Sequence, residues 1–142
     1  MARIPSAFAQ LLASIPLFSG VPKKGLRALV EATDEVEVPP GNVIVREGSF
    51  DRDLFVIVSG SVRITRSGRK LASMGPGDFF GEMALMGRGP RTATVTAESD
   101  TRLLVLGSRR FRVVVDHEPS IAHSIMEKMA ERLRDQERAI TH

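Results

Sequence analysis

Hydrophobic and polar positions change their spacing twice along the chain. Ser6 precedes Ala7-Phe8-Ala9-Gln10-Leu11-Leu12-Ala13, a capping residue followed by good helix formers. Pro16 closes that helix, and Pro22 opens a second with Leu26, Leu29 and Val30 on one face. From Val36 the period becomes that of strands: Val43-Ile44-Val45, Leu54 to Val58, Val62 to Thr65, Thr92 to Ala97, and Leu103 to Leu106. Pro39-Pro40-Gly41, Ser59-Gly60, Ser67-Gly68 and Gly75-Pro76-Gly77 punctuate them. Many short strands with Gly and Pro at the corners predict an all-β barrel or sandwich, and Ser67-Gly68 predicts a hairpin turn. Ser108 then caps a short helix through Val115, and Pro119 opens a longer one. In it Ile121, Ile125, Met129 and Leu133 recur every four residues and form an apolar stripe. About 20 helical residues reach roughly 30 Å, enough to lie across a whole barrel. Beyond Leu133 the residues are mostly charged, and the end is expected to fray.

With 142 residues, 42% hydrophobic and 26% charged, the chain fits one ordinary globular domain with a real core. Its lack of Cys excludes disulfides and Cys-based zinc sites and fits a reducing cytoplasm, the expected location. No apolar run approaches the roughly 20 residues of a membrane span, and Met1-Ala2-Arg3-Ile4-Pro5 lacks the apolar stretch of a signal peptide. The net charge of +3 is spread among interspersed acids and bases, so a nucleic-acid-binding face is not expected. His117, His123 and His142 lack ligand spacing, which argues against a metal site and against a metal-dependent cupin. Gly75-x-Gly77 lacks the spacing of a dinucleotide fingerprint, and no Gly-x-Ser-x-Gly or nucleophile–base pair is present. No enzymatic activity is expected.

One connection departs from the pattern of tight turns. Gly77-Asp78-Phe79-Phe80-Gly81-Glu82-Met83-Ala84-Leu85-Met86 runs through Gly87-Arg88-Gly89-Pro90 into Arg91-Thr92-Ala93-Thr94-Val95. A helical turn from Glu82 to Met86 is expected between two strands. Gly81 admits a ligand close to the backbone, and the amides of Met83, Ala84 and Leu85 are the donors of a helix N-terminus that attract an anion. Arg91 offers a planar fork of donors to the same phosphate. Glu82 would repel a phosphate, but it suits a sugar hydroxyl, so a ribose with a free 2′-OH joined to a phosphate satisfies both. Each residue also has a plainer reading: Arg91 as a surface strand residue, Glu82 as a carboxylate complementing a helix dipole, and Thr92 as one of a Thr92, Thr94, Thr96 strand face.

The run Phe80-Gly81-Glu82-Met83-Ala84-Leu85, followed by Arg91-Thr92-Ala93-Thr94-Val95, resembles the phosphate-binding cassette of the cyclic nucleotide-binding domain family. The resemblance extends over nearly the whole chain, from Leu17-Phe18 to the final helix pair. It implies an antiparallel β-roll, double-stranded and jelly-roll-like, mainly β with flanking helices: short N-terminal ones and a C-terminal pair. The expected divisions are a helical segment at 1–35, a β-roll at 36–107 with its cassette at 77–95, and hinge and lid helices at 108–142.

The resemblance also assigns roles. Glu82 would accept from the ribose 2′-OH, and Gly81 would pack under the sugar. The amides of Ala84 and of Thr92 or Ala93 would bind phosphate oxygens, in the same turn as Met83. Arg91 would neutralise the phosphate, and the Thr92 hydroxyl would also touch a guanine base turned syn. Val62 and Leu71 fall where the family lines its base pocket, although from the residues alone both read more safely as core. Arg132, Leu133 and Arg134 are the candidates to cap the purine from the last helix. The implied function is a reversible sensor of cAMP or cGMP with no other cofactor, passing a movement of its C-terminal helices to a protein effector. Two alternatives stand beside it: a sensor piece of a larger channel or transcription regulator, and an enzyme acting on cyclic nucleotides.

Overall fold

The computed structural model describes residues 6–85, 87 and 89–141, so Met1 to Pro5, Met86, Arg88 and His142, each used above, lie outside the described residues. The β-rich middle forms two four-stranded antiparallel sheets. One holds β1 (Asp34–Val38), β8 (Thr101–Leu106), β3 (Leu54–Ser59) and β6 (Phe79–Phe80), in that order. The other holds β2 (Val43–Val45), β7 (Thr94–Ala97), β4 (Val62–Arg66) and β5 (Arg69–Met74). Val45, Phe55, Ile57, Val62, Val95 and Leu103, contributed by both sheets, form a shared core that Val38, Ile44, Ile64, Met74, Phe80 and Val105 extend. This is the β-roll that the resemblance implies.

Local chemistry explains the strand order. Leu54, Phe55, Val56 and Ile57 are buried in succession, as befits an inner strand covered on both faces. At the hairpin, Ser67 (φ 51°) and Gly68 (φ 79°) both take the left-handed conformation that a two-residue primed turn requires. Strand β1 was not foreseen as such, because Asp34-Glu35-Val36-Glu37-Val38 alternates with acids in place of polar neutral residues. Its charges are answered from β8 and the helix after it: Arg102 pairs with Glu35 and lies 3.9 Å from Glu37, and Arg110 reaches Asp34 at 3.1 Å. Strand β7 begins at Thr94, not at Thr92.

Helices α1 (Ser6–Ala13), α2 (Lys23–Glu31) and α4 (Pro119–Thr141), with a 3-10 turn at Pro16–Phe18, follow the sequence reading. The short helix α3 spans Ser108–His117, two residues longer than expected. Contacts group the chain through Ala32 with the chain from Arg112 onward as one compact unit, and residues 33–111 as another. Within the first unit, a Cβ on Gly25 would stand 2.8 Å from Val21 and 3.0 Å from Ile121, so glycine lets α2 and α4 approach closely. The Ser124 hydroxyl donates to the Gly20 carbonyl at 3.2 Å. Ile121 of the apolar stripe of α4 packs beside Val21 and Gly25 within this unit. Burial along the stripe stops after Ile125, and Leu133 is 62% exposed.

Two glycines with similar φ separate backbone strain from crowding. At Gly68 (φ +79°) nothing lies within 4 Å of an added Cβ. At Gly60 (φ +91°) that Cβ would fall on the Asp100 carbonyl and 2.7 Å from Thr101 Cα. Gly68→Ala is expected to cost about 1–2 kcal/mol from the left-handed backbone alone. Gly60→Ala adds an overpacking cost of roughly 1–3 kcal/mol. Urea unfolding of the two variants checks the difference, and equal losses would contradict it.

Candidate functional site

The site is built on β3 and the two segments that meet its start. The turn Gly75 to Asp78 is bound to β3, since the Ile57 amide donates to the Asp78 carbonyl at 2.9 Å and the Gly77 amide to the Ile57 carbonyl at 2.8 Å. This delivers β6, where Phe80 stacks on Phe55 with centroids 4.9 Å apart and rings 16° from parallel. Gly81 follows at φ +88°. A Cβ there would stand 2.5 Å from both Arg91 Nη1 and the Asp53 carbonyl, so this position needs glycine for conformation and for space.

Arg91 is held from several sides. Its Nε donates to Asp51 Oδ1 at 3.0 Å, and Nη2 donates to the same oxygen and to the Asp53 carbonyl at 2.6 Å. Its Cζ lies 5.9 Å from the centroid of the Phe55 ring. Its amide donates to the Ser49 carbonyl at 2.7 Å, and its carbonyl accepts from Gly48 at 2.8 Å. The side chain is only 9% exposed. Asp51 feels opposing influences: burial pushes its carboxyl up, while hydrogen bonds from Arg91 and Ser49 and the charge of Arg91 outweigh it and hold it below the usual range. Burial and the neighbouring Asp51 charge raise Asp53, against the pull of Arg91.

A cavity of about 570 Å³ opens beside these groups. Its wall brings together Gly81, Glu82, Ala84, Arg91, Thr92, Ala93 and Leu71 of the expected site. The Glu82 Oε2 atom in that wall is closed off from solvent. Leu71 is half exposed, so it is wall and not core. Val62 is the correction: it is fully buried in the shared core and does not line the cavity, whereas Ile64, two residues on along the same face, does. A second correction concerns the amides. Glu82–Leu85 is a 3-10 turn, and its tighter closure engages the Ala84 amide with the Gly81 carbonyl at 3.0 Å. Met83 belongs to this turn, although its side chain lies outside the described residues. Of the capping candidates, Leu133 and Arg134 are exposed on α4, and the Arg132 side chain lies outside the described residues.

Sequence reasoning missed Asp51, Arg52 and Arg66. Arg52 and Arg66 line the cavity, and Arg66 Nε donates to the Thr92 carbonyl at 3.0 Å. The charge alternation Asp51-Arg52-Asp53 just before a strongly apolar strand was the available signal.

An eight-stranded β-roll holding a glycine, a glutamate and a buried arginine around one cavity marks a ligand-binding domain class rather than a general β sandwich. A family model described as the cyclic nucleotide-binding domain matches residues 35–118, and the chain belongs to that family. It is 37% identical to a cyclic nucleotide-gated potassium channel of Rhizobium etli over 87% of this chain and 34% of the channel. It is 33% identical to the cyclic AMP receptor protein of Thermus thermophilus over 84% of this chain and 58% of that protein. The chain therefore spans about a third to three fifths of the length of these curated relatives. The N-terminal domain of a transcriptional regulator from Streptomyces coelicolor A3(2) superposes with a TM-score of 0.81 at 32% identity, covering 89% of this chain and 94% of that one. The regulatory domain of Toxoplasma gondii PKA with cAMP gives 0.71 at 31% identity, covering 77% and 43%.

The Arg91–Asp51 pair makes a pH prediction. Because the folded Asp51 carboxyl lies below its ordinary value near about 3.9, the stability it contributes is present above that value and is lost as pH falls through the lowered one. The raised Asp53 acts with the opposite sign: its contribution is present at low pH and lost as pH rises through the raised value. Urea midpoints between about pH 2.5 and 6 should fall on acidification less steeply in Asp51→Asn than in the parent chain. Superimposable acid limbs would contradict the pairing.

Proposed function

We propose that this domain binds cAMP, with cGMP as a weaker second ligand, and passes a movement of its C-terminal helices to a protein effector. The observation that carries the reading is the buried Arg91 guanidinium, seated against Gly81 in the cavity that Glu82 also lines. Arg91 would pair with the cyclic phosphate, and Glu82 would accept from the ribose 2′-OH. Val45, Ile64, Leu71 and Val95 give the wall an apolar part for the purine. Arg52, Arg66, Arg91 and Glu82 line the cavity, and Asp51 answers Arg91, which leaves one positive charge over. That balance complements a singly ionised phosphodiester.

The Ala84 amide joins phosphate binding only if the bond to Gly81 is shared or exchanged. The movement of that turn, together with Leu85, starts the signal in this reading. Capping of the base falls to α4, with Arg132, Leu133 and Arg134 as candidates. No catalysis, metal or second cofactor belongs to the reading, and the location proposed is cytoplasmic. The relatives named above are a channel, a receptor protein and regulators, in which a domain of this kind occupies part of a longer chain. A sensor working within such an assembly is the second reading.

Calorimetric titration tests the ligand assignment. One cAMP site per chain is expected, and Arg91→Ala should weaken it about 30- to several thousand-fold, the loss of roughly 2–5 kcal/mol for a buried charged contact. Glu82→Gln should be milder, and 2′-deoxy-cAMP should lose little further affinity in that variant. Thr92→Ala should weaken cGMP more than cAMP, by the roughly 2- to 13-fold that one neutral hydrogen bond supplies. An Arg91→Ala curve matching the parent would overturn the phosphate assignment.

A further inference from the structure

The cyclic-nucleotide roles described above place only Arg52 of the β2–β3 loop, residues 46–53, on the cavity wall and give the loop no part in directing Arg91. Yet this loop makes much of the contact with Arg91. Two of its main-chain groups bracket the arginine backbone, through Ser49 and Gly48. Both Arg91 nitrogens that reach Asp51 land on a single oxygen, Oδ1. The other oxygen, Oδ2, lies 2.9 Å from the Ser49 hydroxyl, which also lies 2.7 Å from the Arg46 carbonyl; its one proton serves one of them at a time. The Asp53 carbonyl takes the second bond of Nη2. The remaining nitrogen, Nη1, is the one nearest the Cβ position of Gly81.

The geometry of this frame directs the guanidinium. A free arginine side chain has four rotatable bonds and loses their freedom when it grips a ligand. Here Nε and Nη2 are pinned on the loop side, and Nη1 is turned toward the glycine that opens the cassette. We infer that Asp51 is a positioning residue for ligand recognition: it accepts two hydrogen bonds at Oδ1 and thereby sets Nη1 of Arg91 toward the phosphate before any ligand arrives. Ser49 holds the other carboxylate oxygen in place. Asp51 would touch no ligand atom and acts through Arg91. The opposing influence is its charge, which repels an incoming phosphate, so the sign of the effect is itself a test. The inference rests on the cyclic-nucleotide reading above.

Because both bonds end on one oxygen, an amide can replace the carboxylate as acceptor, and this separates orientation from charge. With cAMP titrated into the full chain, Asp51→Ala should weaken binding about tenfold, the loss expected when a charged fork must be ordered by the ligand itself. Asp51→Asn should stay within about threefold of the parent. On an Arg91→Ala background, Asp51→Ala should change affinity by less than about twofold, because its action passes through Arg91. Unchanged or tighter binding in Asp51→Ala, equal losses in the Ala and Asn variants, or a full loss on the Arg91→Ala background would each overturn the inference. If Asp51→Ala does not fold, Ser49→Ala replaces it, with a smaller loss expected that again vanishes without Arg91.

A second readout needs no nucleotide. The Arg91 Nε–H resonance, assigned by its loss in Arg91→Ala, should exchange slowly with water in the parent and rapidly in Asp51→Ala. Equal exchange in the two would overturn the positioning role. A parent chain that binds neither cAMP nor cGMP would defeat the function proposed above, while this exchange measurement still decides what Asp51 does.

Discussion

A guanidinium withdrawn from water must have its charge answered and its donors paired, or the fold will not keep it there. Arg91 is the point at which this structure meets that demand. A carboxylate, a main-chain carbonyl and an aromatic face surround it, and each comes from the short stretch between Asp51 and Phe55. Pairs of this kind add little net stability once desolvation is counted, but removing one partner is costly. The arrangement makes better sense as a device for holding a positive charge in a fixed direction than as a strut.

The scaffold beneath it is suited to that task. Phe55 lies in β3, an inner strand paired on one side with β8 and on the other with β6, and its ring is stacked by Phe80. Gly81 follows Phe80 directly, so the backbone that must approach the arginine leaves a packed strand end and not a free loop. Side chains supported by strands in this way are held more closely than those on loops alone. The 3-10 turn after Gly81 is the softer part, since its four residues close with weaker geometry than an α-helical turn. Rigidity on the arginine side and adjustability on the turn side fit a site that must register its ligand.

Much of this was legible in the sequence, and the failures have physical causes. An all-β barrel or sandwich followed from short apolar runs with Gly and Pro at the corners, the β-roll from the resemblance, and the hairpin from Ser67-Gly68. The cassette was legible because Gly81, Glu82 and Arg91 are informative together while each is ambiguous alone. Asp51 was missed because its partner lies 40 positions away, and no local spacing records a long-range ion pair. Val62 was placed on the cavity wall by the resemblance, whereas the residues alone suggested core; it is fully buried, and Ile64, on the same face of β4, lines the cavity. Strand β1 was passed over because acids at alternate positions suggest solvent, until Arg102 and Arg110 are seen to face them. The stripe of α4 showed which residues are apolar but not which surface would cover them, and Gly25 lets Ile121 pack close to the N-terminal helical segment.

The central claim is that this cassette recognises a cyclic phosphate rather than a purine or a sugar alone. The most direct measurement compares backbone amide resonances of the chain in the presence of cAMP and of adenosine, which shares base and ribose but carries no phosphate. The account predicts large shifts at Leu85, Thr92 and Ala93 with cAMP, and little change there with adenosine at the same concentration. Equal shifts with both compounds, or cAMP shifts that leave these amides unmoved, would contradict it.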